Sequence, residues 1–145
     1  MAGQPVNWGT MAHDHEMYMT LTDSALELRD LPALQEYTPQ LEALAERDQH
    51  GLYLAIARRA RAAAQALTGE PTKAEAALKE ALAVFNGMGA RWQSGRTLFE
   101  LGEAAVSRRK KARAREYFTQ ALATFEELKA LPDAERTRLR LKSLD

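Results

Sequence analysis

A chain of 145 residues, 46% hydrophobic and 28% charged, has the make-up of one globular domain able to bury a core. It holds no cysteine, which excludes disulfides and thiolate chemistry; with neither a signal-peptide core in its first twenty residues nor a membrane-length apolar run, it reads as cytoplasmic with no membrane partner. A net charge of zero hides a split: residues 1 to 50 hold nine Asp and Glu against two Arg, a net of −7, and residues 51 to 145 hold eighteen Lys and Arg against eleven Asp and Glu, a net of +7.

Ala, Leu, Glu and Arg dominate while Val and Ile are rare, which favours helix throughout. Residues 1 to 12, with Gly, Pro and Asn and no period, are expected to form a flexible tail carrying Trp8. A first helix is predicted from about His13 to Arg29, with Met17, Leu21, Ala25 and Leu28 as its apolar stripe. Asp30 then caps a second helix, whose first turn tolerates Pro32 because the missing N–H has no partner there. Leu34, Tyr37, Leu41, Leu44 and Ala45 form its stripe, and it ends near Gly51. The third helix, about Leu52 to Thr68, carries Tyr53, Ile56, Ala60, Ala63 and Leu67 and stops at Gly69. Pro71 opens the fourth, which Gly87 and Gly89 end.

The stretch from Gly95 to Pro132 reads as two more helices folded back on each other. Leu98, Leu101, Gly102 and Ala105 share one face of the fifth, and Ala114, Tyr117, Phe118, Ala121, Leu122 and Phe125 line the sixth, small residues alternating with bulky ones. Ala74, Leu78, Ala81, Leu82 and Phe85 match Ala114, Phe118, Ala121, Leu122 and Phe125 at a constant offset of 40, although Arg61-Ala62 stands where the later hairpin has Leu101-Gly102. Pro132-Asp133 starts a short, mostly polar seventh helix to about Lys142, the kind of element that caps an array of repeats. The domain is thus residues 13–145, with hairpins at about 13–49, 51–89 and 91–130 and a capping helix at about 133–143.

Leu101-Gly102 followed by Ala114, Phe118 and Ala121-Leu122 resembles the tetratricopeptide repeat, whose signature is a Leu-Gly pair with Ala and Phe at set distances. Leu98 stands where that family has Trp, Ala105 where it has Tyr, and Pro132 comes over a turn late, so the repeat is similar to the longer versions in helical-repeat regions of large bacterial transcription activators and nucleotide cyclases. The resemblance implies an all-α fold, a right-handed superhelical array of three antiparallel hairpins plus the cap, whose first helices line a concave groove. It also implies a protein–protein interaction module, free-standing or part of a larger regulator, that binds a peptide or protein segment.

The groove-facing stripe of the fifth helix is Trp92, Arg96, Phe99 and Glu103, spaced four, three and four, and the same face carried back shows Arg58 and Gln65 on the third helix and Tyr18 on the first. Phe99 and Trp92 would otherwise pack on the preceding hairpin. Aromatic and Arg anchors favour a ligand with apolar side chains and a carboxylate. No nucleophile stands beside a base, and no Gly-rich phosphate loop or paired acid occurs at a diagnostic spacing, so neither catalysis nor a cofactor is expected. His13-Asp14-His15-Glu16 offers metal-type ligands, but helix neighbours point apart, so it reads as a solvated helix start with no metal; His50 reads as polar surface. Arg108, Arg109, Lys110 and Lys111 form a basic patch able to touch phosphates, yet no aromatics interleave as nucleic-acid binding would want. The opposite charges of the two halves also favour a weak head-to-tail homo-oligomer.

Overall fold

The computed structural model describes the backbone of residues 8–145 and the side chains of residues 14–145. Within that span the chain is all helical and has no strand: α1 (Trp8–Glu27), α2 (Leu31–Arg47), α3 (Gly51–Leu67), α4 (Pro71–Met88), α5 (Arg91–Ser107), α6 (Lys111–Glu127) and α7 (Leu131–Ser143). Of the tail expected at 1–12, residues 1–7 and the side chain of Trp8 lie outside the described residues, and residues 8–12 already belong to α1. Each helix packs on the next, and α1 also touches α3, as α3 touches α5. No described helix is long and apolar enough to cross a membrane.

One turn, repeated every 20 residues, sets this arrangement. Arg29, Gln49, Gly69, Gly89, Arg109 and Lys129 all take positive φ, from 53° to 92°. The N–H after each returns to a carbonyl five residues earlier, from Asp30 to Ala25 at 2.9 Å through Ala130 to Phe125 at 2.9 Å. That closure satisfies carbonyls the helix end leaves open. The residue that makes it also serves as N-cap of the next helix. Asp30 accepts the Ala33 N–H at 3.2 Å, and His50, expected to be plain surface, accepts the Tyr53 N–H on Nδ1 at 3.3 Å. Glycine is the residue at ease with positive φ, yet only two of the six positions use it.

The core is built by size exchange between positions 40 residues apart. In the third hairpin Gly102 lies against Phe118, where an added Cβ would sit 2.5 Å from the ring. In the second, the same places hold Ala62 and Leu78, both buried in the same cluster. In the first they hold Thr22 and Thr38, both buried, with hydroxyls that have no hydrogen-bond partner. Gly95 faces Phe125 in the same way, and Ala55 shares a cluster with Phe85. A smaller residue on one helix thus admits a larger one on its neighbour, keeping the density of a packed interior.

The α1 stripe differs from expectation. Met17 and Leu28 are exposed, Leu28 at 76%, while Thr22 and Leu26 are buried beside Ala25. Because α1 stops at Glu27, Leu28 falls in the turn, where helical spacing no longer governs direction. Leu67, the last residue of α3, is exposed as well.

Candidate functional site

The odd-numbered helices share one face, and an ion-pair network runs across it. Asp23 of α1 pairs with Arg59 of α3 at 3.3 Å and with Arg96 of α5 at 3.0 Å. Arg29, in the turn after α1, pairs with Glu100 at 2.8 Å and Glu103 at 3.3 Å. Arg140 of α7 reaches the same Glu103, and Arg136 sits between Asp133 at 3.3 Å and Glu27 at 3.8 Å. Of these, Glu27, Arg29, Arg96, Glu100, Glu103, Asp133, Arg136 and Arg140 line a cleft of about 210 Å³.

Arg59 is the deepest member, with no exposed surface. It donates to the Gln93 carbonyl at 3.2 Å and lies 5.1 Å over the Phe85 ring, while its Nε has no partner. Burial pushes its pKa down to about 10 despite Asp23, so it stays charged at neutral pH. For Arg29, burial acts downward, but Glu100 and Glu103 outweigh it and the pKa is raised. Cation and carboxylate pair with one another along this face, tying α1, α3, α5 and α7 together.

The residues expected to line one groove are distributed over several environments. Arg96 is 5% exposed and committed to Asp23, and it also covers the Trp92 ring at 5.1 Å. Trp92 is 39% exposed and donates its indole N–H to Asp133 at 2.9 Å. Phe99 is 7% exposed and packs edge-on to Phe118 at 5.3 Å, in the core. Glu103 bridges Arg29 and Arg140. Tyr18 packs against the cluster around Leu41, Ile56 and Phe85. Arg58 and Gln65 line a different depression. Asp23, Arg29, Arg59, Glu100 and Arg140, which carry the ion-pair network of the odd-helix face, had no sequence signal except that Arg59 stands 40 residues before Phe99.

That second depression, about 520 Å³, lies between α2 and α4 with α3 as its floor. Leu54, Ala55 and Ala62 form the base, Ala77, Ala81 and Val84 one wall, and Arg58, Arg61, Glu42 and Glu80 the rim. The corresponding groove between α4 and α6 over α5 holds only about 200 Å³. The reason is sequence: Leu98, Leu101 and Tyr117 in the third hairpin become Arg58, Arg61 and Ala77 in the second. Leu101 is buried and Tyr117 packs on the core, whereas Arg58 and Arg61 are exposed.

The chain matches no known protein family and no curated protein sequence.

The His-rich start of α1 is only partly a solvated surface. His15 is buried, with Nε2 2.9 Å from Asp48 and 3.4 Å from the Leu44 carbonyl, while the side chain of His13 lies outside the described residues. Among the described residues no group of three or more His, Asp or Glu is placed to hold a metal ion. In the basic stretch, Arg108 and Arg113 both turn to the buried Glu75, which Lys79 also meets at 3.4 Å. Arg109, Lys110 and Lys111 stay exposed.

Burial alone would raise the Glu75 pKa, but Arg108 and Lys79 hold it below its ordinary 4.5. A carboxylate with a depressed folded pKa contributes stability that is complete above its unfolded value and lost as the pH falls through the folded one. Glu75→Gln is therefore expected to cost about 1 kcal/mol at pH 7, since the partner cations are partly screened by water. The gap in urea midpoint between wild type and variant should close as the pH falls below 4.5; a gap unchanged with pH would assign Glu75 a role independent of its charge.

Proposed function

We propose that this chain is a non-catalytic protein-interaction module of the tetratricopeptide-like type, a right-handed superhelical array of three hairpins with α7 as its cap. Its ligand is a protein or peptide segment presenting apolar side chains and at least one carboxylate. The observation that carries this reading is the left-handed turn recurring every 20 residues from Arg29 to Lys129, with matching helix starts. Such regularity suits a stack of like units that leaves long grooved surfaces free for a partner.

The charge split supports an internal use over a head-to-tail one or a nucleic-acid one. Asp23, Glu27 and Glu42 of the acidic half meet Arg59, Arg61, Arg96 and Arg136 of the basic half within one chain. Affinity capture at physiological salt, followed by calorimetry with the recovered protein, tests the reading. Saturable binding to a defined segment is the expected result. Recovery of no protein ligand, with turnover of a small molecule instead, would overturn it.

A further inference from the structure

We infer that the partner enters the groove between α2 and α4 as an amphipathic helix, with an acidic side chain set against Arg58. The inference rests on the protein-binding reading above and adds the place, conformation and chemistry of the ligand.

The place follows from the third hairpin. There the chain fills the equivalent space with its own Leu98, Leu101 and Tyr117, and little more than a shallow recess of about 200 Å³ remains. In the second hairpin those side chains are absent, and about 520 Å³ stands open over Leu54, Ala55 and Ala62. The missing volume is thus that of large apolar side chains, and a partner supplying them would restore the packing seen one repeat later. Val84 on the wall and Met88 beyond it are exposed apolar side chains at 42% and 47%, which the partner would cover.

The conformation follows from the backbone. Floor and walls are all helix, whose N–H and C=O groups are bonded internally, so no edge is offered to an extended strand. A ligand that satisfies its own backbone is required on this apolar floor, and a helix is such a ligand. From Gly51 to Gln65 the groove follows 15 residues of α3, about 21 Å at the rise of an α-helix. That length takes about four helical turns, with anchors at i, i+3 or i+4, and i+7.

The charge follows from the rim. Arg61 is paired with Glu42, whereas Arg58 on α3 and Glu80 on α4 have no ion-pair partner among the described residues, so a ligand carboxylate belongs on the α3 side of the groove, against Arg58. A guanidinium at the edge of a partly desolvated groove is a good partner for a ligand carboxylate.

The test uses a display library of 14-residue helix-forming peptides, selected on the full chain and read as fluorescein-labelled peptides by anisotropy. Selected sequences should share large apolar residues at i and i+3 or i+4 and carry a Glu or Asp beside them. Filling the groove in the manner of the third hairpin, with Arg58→Leu, Arg61→Leu and Ala77→Tyr, should weaken binding at least about twentyfold. Arg58→Glu should weaken it about tenfold, and exchanging the peptide carboxylate for Lys should restore it. Arg58 is exposed, so this second variant keeps the fold, as circular dichroism will check, even if the triple variant does not. Equal affinity for wild type and Arg58→Glu, or no rescue by the exchanged peptide, overturns the inference. Self-association of the wild type that the Arg58→Glu variant loses would name a second copy as the occupant and likewise overturn it. A natural partner that ignores groove filling sinks this site but leaves the interaction module standing, whereas failure to capture any protein sinks the module itself.

Discussion

Replacing Asp23 with alanine is expected to cost about 3–5 kcal/mol, a large part of the 5–15 kcal/mol by which a domain is ordinarily stable. Asp23 is the shared partner of Arg59 and Arg96, and both guanidinium groups are buried. Without it, Arg59 keeps a carbonyl and a threonine hydroxyl but no carboxylate, and a buried charge loses its compensation. Arg96 would retain only Glu27 at 3.8 Å and the Trp92 ring. The cost should fall mostly on the unpaired Arg59, so adding Arg59→Met to Asp23→Ala should recover most of the loss; the third hairpin already holds Phe99 at the matching position. Urea denaturation of the two variants measures both steps. A loss under about 1 kcal/mol for Asp23→Ala would mean that water reaches Arg59 and that the network is peripheral.

Gly102→Ala should destabilise by about 1–3 kcal/mol even though alanine is the better helix former by about 1 kcal/mol. The new Cβ would lie 2.5 to 2.7 Å from three atoms of the Phe118 ring, and that ring is fully buried, so it has nowhere to go. Phe118→Leu alone should also destabilise, because it leaves part of the ring volume empty. Together the two changes reproduce the Ala62 and Leu78 pair of the second hairpin, so the double variant should be more stable than the sum of the single losses predicts, by about 0.5–3 kcal/mol of coupling. Strict additivity in thermal melts would show that the two hairpins do not share one packing rule.

The residues of the second and third hairpins made their relation legible, because Ala74, Leu78, Ala81 and Phe85 recur as Ala114, Phe118, Ala121 and Phe125 and all face the core. The first hairpin was harder to read. Its buried positions hold Thr22 and Thr38, which look like surface, and its apolar Leu28 falls beyond the helix end. Left-handed turns at Gly69 and Gly89 had a glycine to mark them, whereas those at Arg29, Gln49, Arg109 and Lys129 had nothing. A second apolar stripe on α5 was visible as Trp92 and Phe99, but spacing alone does not say whether a second stripe faces a ligand or a neighbour. Helix α5 packs against α3, α4 and α6 at once, and its residues from Ser94 to Gly102 are all buried. Arg61-Ala62 in place of Leu-Gly was plain in the sequence, yet its consequence needed Ala77 brought opposite in space.

Two surfaces therefore compete for the proposed partner. On the face shared by the odd-numbered helices, Arg96 is not a free anchor, and any ligand there must break pairs such as Arg29 with Glu100 before it gains its own. Desolvating and separating such pairs is costly. The groove between α2 and α4 asks for no such exchange, since its floor is apolar and Arg58 is exposed. Hydrogen–deuterium exchange of the whole chain with and without a captured partner separates the two most directly. New protection is expected on α2, α3 and α4 around Glu42, Arg58 and Val84, with the ion-paired face unchanged. Protection concentrated instead on Arg29, Glu100, Glu103 and Arg140 would contradict this placement.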